Sequence, residues 1–151
     1  MKPHDISYME LALSLASQAQ ALGEVPVGCV IVFNQQVIAT AHNQPIASHN
    51  PCAHAEILAL HEAGKHLQNY RLKGCTVYVT LEPCSMCVSA MIHARIDRCV
   101  FGASDPKTGA LGGAIDLPSL HTWNHHFESE GGVMDDACSK QLINFFKQKR
   151  S

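Results

Sequence analysis

Four side chains carry spacing that could do chemistry. His54 and Glu56 sit in Pro51-Cys52-Ala53-His54-Ala55-Glu56, and Cys84 and Cys87 sit in Glu82-Pro83-Cys84-Ser85-Met86-Cys87. Thiolate and imidazole ligands suit zinc, and a C-x-x-C pair spans one helical turn, so both sulfurs can face one ion. One His and two Cys make three protein ligands. That count leaves a fourth tetrahedral position for water, the pattern of a catalytic rather than a structural site. Zinc lowers the pKa of such a water toward ~7. Glu56, two residues after His54, can reach the same place without binding the metal and act as general base. Two other readings stay open on spacing alone. C-x-x-C also occurs in thiol redox motifs, and Cys52 could close the site as a fourth ligand, which would leave Glu56 without a task.

The elements that must hold these residues follow from pattern. Asp5 to Leu22 reads as a helix with Met9, Leu13, Ala16 and Gln20 on one stripe and a capping box at Ser7 and Glu10. Val27 to Phe33 is a nearly unbroken Val/Ile run, hence a buried strand, and Val37 to Ala41 returns after the Asn34-Gln35-Gln36 turn. His42 to Cys52 is a polar loop. A helix from Ala53 to His66 places Ile57, Leu60 and Gly64 on one face. Cys75 to Leu81 is a strand, Cys84 to about Ala94 a helix, Arg98 to Gly102 a strand, and Ala103 to Leu120 loop-rich. His126 to Glu130 reads as a short fifth strand. Asp135 to Lys149 closes the chain as a helix with Met134, Cys138, Leu142, Phe145 and Phe146 as its buried stripe. Both ligand segments thus lie where helices begin, and the free N–H groups and positive dipole end there favour thiolates. The order of elements implies a sheet covered by helices on both faces.

Composition narrows the class. Of 151 residues, 46% are apolar and 16% charged, which supports one domain (1–151) with a sizeable core and argues against disorder. The net charge of -2 gives no global signal for nucleic acid, so an RNA partner needs a local patch. Seven cysteines, with Cys29, Cys75 and Cys99 in strand-like runs, read as buried free thiols rather than disulfides. No apolar run has transmembrane length, and Met1-Lys2-Pro3-His4-Asp5 has no signal-peptide core; the expectation is a cytoplasmic protein.

The paired H-x-E and P-C-x-x-C segments are the signature of zinc nucleobase deaminases. The chain further resembles the bacterial tRNA adenosine deaminases, in the cytidine/deoxycytidylate deaminase-like family. The resemblance runs through Glu24-Val25-Pro26-Val27-Gly28, His42-Asn43-Gln44-Pro45-Ile46, Ala53 to Ile57, Asn69-Tyr70-Arg71-Leu72, Tyr78 to Cys84, Ala90-Met91-Ile92-His93, Phe101-Gly102-Ala103, Asp105, Lys107-Thr108-Gly109-Ala110, Asn124-His125 and Phe145-Phe146. It implies a three-layer α/β/α fold around a mixed five-stranded sheet, one zinc ion per subunit, and a homodimer. It implies conversion of the wobble adenosine of a tRNA anticodon to inosine, by attack of zinc-activated water at C6. Glu56 would carry the proton to N1 and then to the departing amine.

The same resemblance puts Asn43 on the target nucleotide, Asp105 near its ribose and backbone, and Val25, Pro26 and Ala55 at the substrate pocket. Arg71, Lys73, Lys107, Lys147, Lys149 and Arg150 are candidate RNA contacts, and His121, His125 and His126 could face RNA or solvent. Phe145 and Phe146 read as core. Ser104 and Pro106 depart from the family pattern, removing a cation and some loop freedom, which bears on RNA affinity rather than chemistry. Two alternatives share many of these features. A guanine or other free-base deaminase would keep the His ligand, and a non-catalytic zinc subunit would lack the glutamate that Glu56 supplies.

Overall fold

The computed structural model describes residues 1–150. Helix α1 (Asp5–Ala21) leads into an antiparallel hairpin, β1 (Gly28–Phe33) and β2 (Gln36–His42). Asn34 and Gln35 both take positive φ at its turn, the conformation that matches a two-residue turn to the twist of its strands. A short helix α2 (Pro45–Ser48) and helix α3 (Ala55–Leu67) follow. Then come β3 (Cys75–Leu81), α4 (Ser85–Ala94), β4 (Arg98–Ala103), a 3-10 turn at Leu117–Ser119, β5 (Glu128–Glu130) and α5 (Asp135–Lys149).

The strands form one mixed sheet in the order β2-β1-β3-β4-β5. β1 runs antiparallel to β2 and β3, whereas β3, β4 and β5 are parallel. Strand alternation splits the core in two. Cys29, Ile31, Val77, Val79, Cys99 and Phe101 face α3 and α4, and Val30, Val32, Tyr78 and Val100 face α1 and α5. This is the three-layer α/β/α arrangement. The strands with near-continuous burial are β1, β3 and β4, as expected for strands covered on both faces.

Helix α1 lies close on β1 because both surfaces are small there. Ala12, Ala16 and Ala19 form its buried stripe with Met9 and Leu15. A Cβ at Gly28 would collide with the Ala12 carbonyl oxygen and the Ala16 nitrogen, so only glycine permits this approach. Met9 and Ala16 are buried as expected, but Leu13 and Gln20 are only half-buried, and Ala12, Leu15 and Ala19 complete the buried face instead. The expected capping box does not form. The helix starts at Asp5 with His4 as N-cap and no side-chain cap, and Ser7 and Glu10 are exposed.

Asp5, the expected first residue of the helix, is held by partners from other elements. Its buried carboxylate takes a bidentate pair from Arg98 (2.8 and 2.7 Å) and the Tyr78 hydroxyl (2.7 Å). Arg98 also reaches Glu130 at 3.0 Å. The helix origin, the two central parallel strands and β5 are thereby tied at one point.

Ile57, Leu60 and Gly64 share one face as expected, and it lines an open groove beside α4; Ala55, Glu56, Ala59 and Ala63 carry the buried face. Two other expectations shift. Phe145 is core, but Phe146, about 100° further round α5, is 45% exposed. The polar loop after β2 contains α2, opened by Pro45 at the position where its missing N–H costs nothing. All seven cysteines are free thiols, five of them buried. No helix among the described residues is long and apolar enough to cross a membrane.

Burial pushes the Asp5 carboxyl up, but Arg98, the Lys2 N–H and Tyr78 outweigh it and hold the group well below the usual carboxylate range. A depressed carboxyl stabilises the fold above its unfolded pKa of ~3.9, and that contribution is lost as pH falls through the folded value. Asp5→Asn strands Arg98 and is expected to cost about 3–5 kcal/mol at pH 7 by urea denaturation. The gap to wild type should narrow below pH ~4; a gap independent of pH would contradict the assignment.

Candidate zinc and substrate site

The site opens outside the carboxyl ends of β3 and β4, where α3 and α4 begin. His54 is the N-cap of α3 and Cys84 the N-cap of α4, both with extended backbone and neither making a side-chain cap. An N-cap side chain ordinarily turns back onto the helix N–H groups. Here the two side chains are left for another partner, and the helix dipoles direct positive potential at the sulfurs. Cys87, one turn into α4, is fully buried.

The three ligand atoms converge. His54 Nδ1 lies 3.6 Å from Cys84 Sγ and 3.4 Å from Cys87 Sγ, and all three lie within 4.8 Å of one another. Tetrahedral ligands at ~2.3 Å (sulfur) and ~2.0 Å (nitrogen) from zinc stand roughly 3.5 Å apart, so the donor set fits zinc in type and spacing. Among the described residues no other group of His, Cys or acidic side chains gathers in this way. Cys52 is exposed and outside the cluster, which removes the closed four-ligand reading.

Electrostatics agree with a cation site. The Cys84 thiol is pulled down to about 4, chiefly by the hydrogen bond from Cys87, with His54 contributing. Cys87 is pushed up by that same Cys84 and by burial. Cys84 is thus the sulfur that gives up its proton more readily, and binding of a divalent cation requires both thiols to be deprotonated. His54 is raised, first by its hydrogen bond to Cys84. Glu56 is 4% exposed at the first turn of α3, and burial lifts its carboxyl to about 7, against the opposing pull of its own backbone and of His54. A carboxyl of that kind gives and takes protons near neutrality.

A cavity of about 240 Å³ adjoins the cluster, lined by Val25, Val27, Asn43, Pro45, His54, Glu56, Leu81, Glu82, Cys84, Asp105 and Thr108. That is below the ~300–1,000 Å³ of drug-sized sites and admits one small planar ring system. Val25 is part of the wall as expected, but Pro26 is buried outside it, and Val27 takes its place. Ala55 is also behind the wall, where its N–H donates to Asn43 Oδ1 (2.8 Å). This bond takes one of the two lone pairs of Asn43 Oδ1 and orients the amide, so that the Nδ2 donor is aimed before a ligand arrives.

Asp105 stands at the rim, where Oδ1 accepts the Lys107 and Thr108 N–H groups and Oδ2 the Thr108 hydroxyl. Of the basic candidates, Lys107, Lys149 and Arg150 line a second, adjoining recess with Val25, Leu81, Asp105, Thr108, Ile143 and Phe146. Lys147 is exposed on α5 but not part of that lining. Arg71 and Lys73 precede β3 and lie at the opposite end of the sheet, Arg71 stacked on Tyr70 at 5.6 Å. His125 Nε2 donates to the Ile96 carbonyl (2.8 Å), also at that far end, and His121 and His126 are exposed.

Sequence reasoning missed two buried carboxylates. Glu24 accepts the N–H groups of Ile46 (3.1 Å) and Ala47 (2.7 Å), fixing the segment that carries Asn43 and Pro45. Glu82 accepts four donors from the loop that carries Asp105. The available signal was a glutamate flanking each motif, in Glu24-Val25-Pro26 and Glu82-Pro83-Cys84.

Comparison with known proteins defines the class. The model of the cytidine and deoxycytidylate deaminase zinc-binding region matches residues 2–103. The chain belongs to that family of zinc-dependent hydrolytic deaminases, and zinc is its cofactor. A tRNA-specific adenosine deaminase of Haemophilus influenzae is 48% identical over 97% of this chain and 85% of its own. A solved structure from a study of A-to-I editing by tRNA:A34 deaminases superposes with TM-score 0.88 at 39% identity, covering 90% of this chain and 99% of that one. A guanine deaminase from Nitrosomonas europaea shares the fold (TM-score 0.78) at 24% identity, covering 95% and 84%.

Metal analysis of purified variants tests the ligand set. Cys52→Ala is expected to retain about one zinc per chain, whereas Cys87→Ser should lose most of it. Zinc loss in the Cys52 variant would reinstate the fourth-ligand reading.

Proposed function

We propose that this chain deaminates the wobble adenosine of a tRNA anticodon to inosine, releasing ammonia. The observation that carries the reading is the three-ligand cluster with Glu56 beside it, in a chain whose tRNA-specific relatives match it end to end at up to 48% identity. Zinc, held by His54 Nδ1, Cys84 Sγ and Cys87 Sγ, supplies an acidified water as nucleophile when bound.

The chain's own residues do the rest. Glu56 takes the proton of the water that adds at C6 and delivers it to N1 of the purine. It then takes the second proton, from the hydroxyl now on C6, and passes it to the amine, so that the C6–N bond breaks, ammonia leaves and a C6 carbonyl remains; one carboxyl serves as base and acid in turn. Asn43 Nδ2 donates to the nucleotide, and the Val25, Val27 and Leu81 side chains form the apolar wall that keeps the ring in one plane and excess water out. Such a pocket cannot reach a base inside a stacked helix, so the substrate is a splayed base of a single-stranded loop. Lys107, Lys149 and Arg150, with exposed Phe146 between them, form the local basic and aromatic rim that the overall charge of -2 does not reveal.

The same reading takes residues 1–151 as one deaminase domain, acting in the cytoplasm as a homodimer. The open groove of Ile57, Leu60, Tyr70, Ala90 and Ala94 is the apolar surface this chain offers a second copy. Sedimentation at working concentration is expected to give a dimer, and monomer alone would remove that part of the reading.

The guanine deaminase alternative and the silent-subunit alternative meet one experiment. Purified zinc-loaded protein is expected to form inosine in an anticodon stem-loop and to release no ammonia from free guanine; the reverse pattern overturns the proposal. Glu56→Gln should keep its zinc and lose turnover by about 10²–10⁴-fold, and near-normal turnover would defeat the proton-shuttle role.

A further inference from the structure

Glu82 is the least expected residue at the site. It is 3% exposed, it lines the cavity with His54, Glu56 and Cys84, and it is two residues before a zinc ligand. Yet its carboxylate faces away from that chemistry in its bonding. Oε1 accepts the Ser104 hydroxyl (3.1 Å) and the Asp105 N–H (2.9 Å). Oε2 accepts the Leu111 N–H (2.9 Å) and the Gly113 N–H (2.8 Å). Four donors saturate the four lone-pair positions of a carboxylate, so it has no capacity left for a substrate atom.

All four donors come from residues 104–113, a segment without regular secondary structure that contains Asp105, Lys107 and Thr108. The chain is shaped around this carboxylate. A Cβ at Gly109 would strike the Glu82 carboxyl and the Asp105 carbonyl, and a Cβ at Gly113 would strike the same two groups. Backbone bonds add to the seam: Glu82 N–H to Ala103 O (2.8 Å) and Ala110 N–H to Pro83 O (2.9 Å), with Cys84 bridged to Gly109. The rim loop and the segment that delivers Cys84 are therefore one unit with a buried anion at its centre. Ser104, where the resemblance leads one to expect a cation, contributes one of the four bonds.

We propose that Glu82 is a positioning residue. It fixes the 104–113 loop so that Asp105 and Thr108 stand at the pocket mouth, and it thereby sets affinity for the RNA loop without taking part in the chemical step. The proposal rests on the RNA-deaminase reading above for its substrate, but not for its structural content. A preorganised rim lowers the ordering cost of binding, and a rim that must first be ordered weakens binding while leaving the rate from the bound state intact.

The test uses the zinc-loaded full chain, Glu82→Gln and the milder Ser104→Ala, whose side chain is exposed and whose loss leaves the other three bonds. Glu82→Gln replaces one acceptor oxygen by an NH2 donor, which confronts at least one backbone N–H whichever way the amide is turned. It is expected to raise KM for an anticodon stem-loop about tenfold with kcat within about threefold. Ser104→Ala should shift KM in the same direction by a smaller factor.

Hydrogen exchange gives a readout independent of turnover. The Asp105, Leu111 and Gly113 amides should exchange faster in Glu82→Gln while those of α4 keep their protection. In a double-mutant cycle, Glu82→Gln with Asp105→Ala should raise KM no more than the more severe single variant. A fall in kcat at unchanged KM, additive effects, or wild-type exchange at those three amides would each overturn the proposal. Failure of the wild type to deaminate any stem-loop would defeat the substrate reading instead, and the exchange result would still decide whether Glu82 holds the loop.

Discussion

Two thiols and an imidazole, thirty residues apart in the chain, have to meet within coordination distance while a carboxyl stands beside them unbound. Most of the architecture serves that condition. Helices α3 and α4 both start at the carboxyl end of the sheet, so His54 and Cys84 are both N-caps and Cys87 follows one turn later. Glu56 is set by the same helix as His54, two residues on, which turns it about 200° round the axis and into the buried face. The sheet must then be thick and dry beneath it. Cys29 and Cys99, both fully buried, and the neighbouring Val79 and Met91 belong to the apolar layer that does this. A buried carboxyl with a raised pKa is the consequence of that layer, not of a specialised partner.

The metal ligands and Glu56 were legible in the sequence because each pair is encoded locally: helical geometry fixes what C-x-x-C and H-x-E can reach, whatever the rest of the chain does. The strands β1, β3 and β4 were legible for a similar reason, since burial on both faces leaves unbroken apolar runs. The errors have a common cause in tertiary contacts. Ser7 and Glu10 have capping-box spacing, yet the helix begins at Asp5, which Arg98, some ninety residues away, draws inward, and Ser7 and Glu10 are left exposed. Phe145 and Phe146 look alike in sequence, but a helix cannot turn adjacent side chains to the same neighbour. Ile57, Leu60 and Gly64 do share a stripe; alanines rather than large residues face the sheet because α3 lies close to it.

Glu24 and Glu82 show what composition hides. Each reads as a polar residue near a motif, and each is buried with its oxygens taken by backbone N–H groups. Between them they hold the α2 segment and the 104–113 loop, which both contribute to the pocket wall. Asn43 is itself held by the Ala55 N–H, so the donor it offers is aimed before any ligand arrives. Irregular segments ordinarily pay for binding with ordering entropy. Anchoring them on carboxylates confers the rigidity of a helix or strand while leaving the backbone free to follow the shape of a base.

This division of labour also separates what can vary from what cannot. The His54, Cys84 and Cys87 cluster is constrained by donor chemistry, because soft sulfur and imidazole donors must meet at the spacing of a tetrahedral ion. The rim, by contrast, is specified by a carboxylate and a set of backbone N–H groups, and backbone groups are present whatever side chain the residue bears. The Asp105 N–H meets Glu82, and its carboxylate closes its own turn on the Lys107 and Thr108 N–H groups, through backbone donors that do not depend on the side chains at 104 and 106. Recognition of different loops can change at the surface of a rim whose backbone path is held from below.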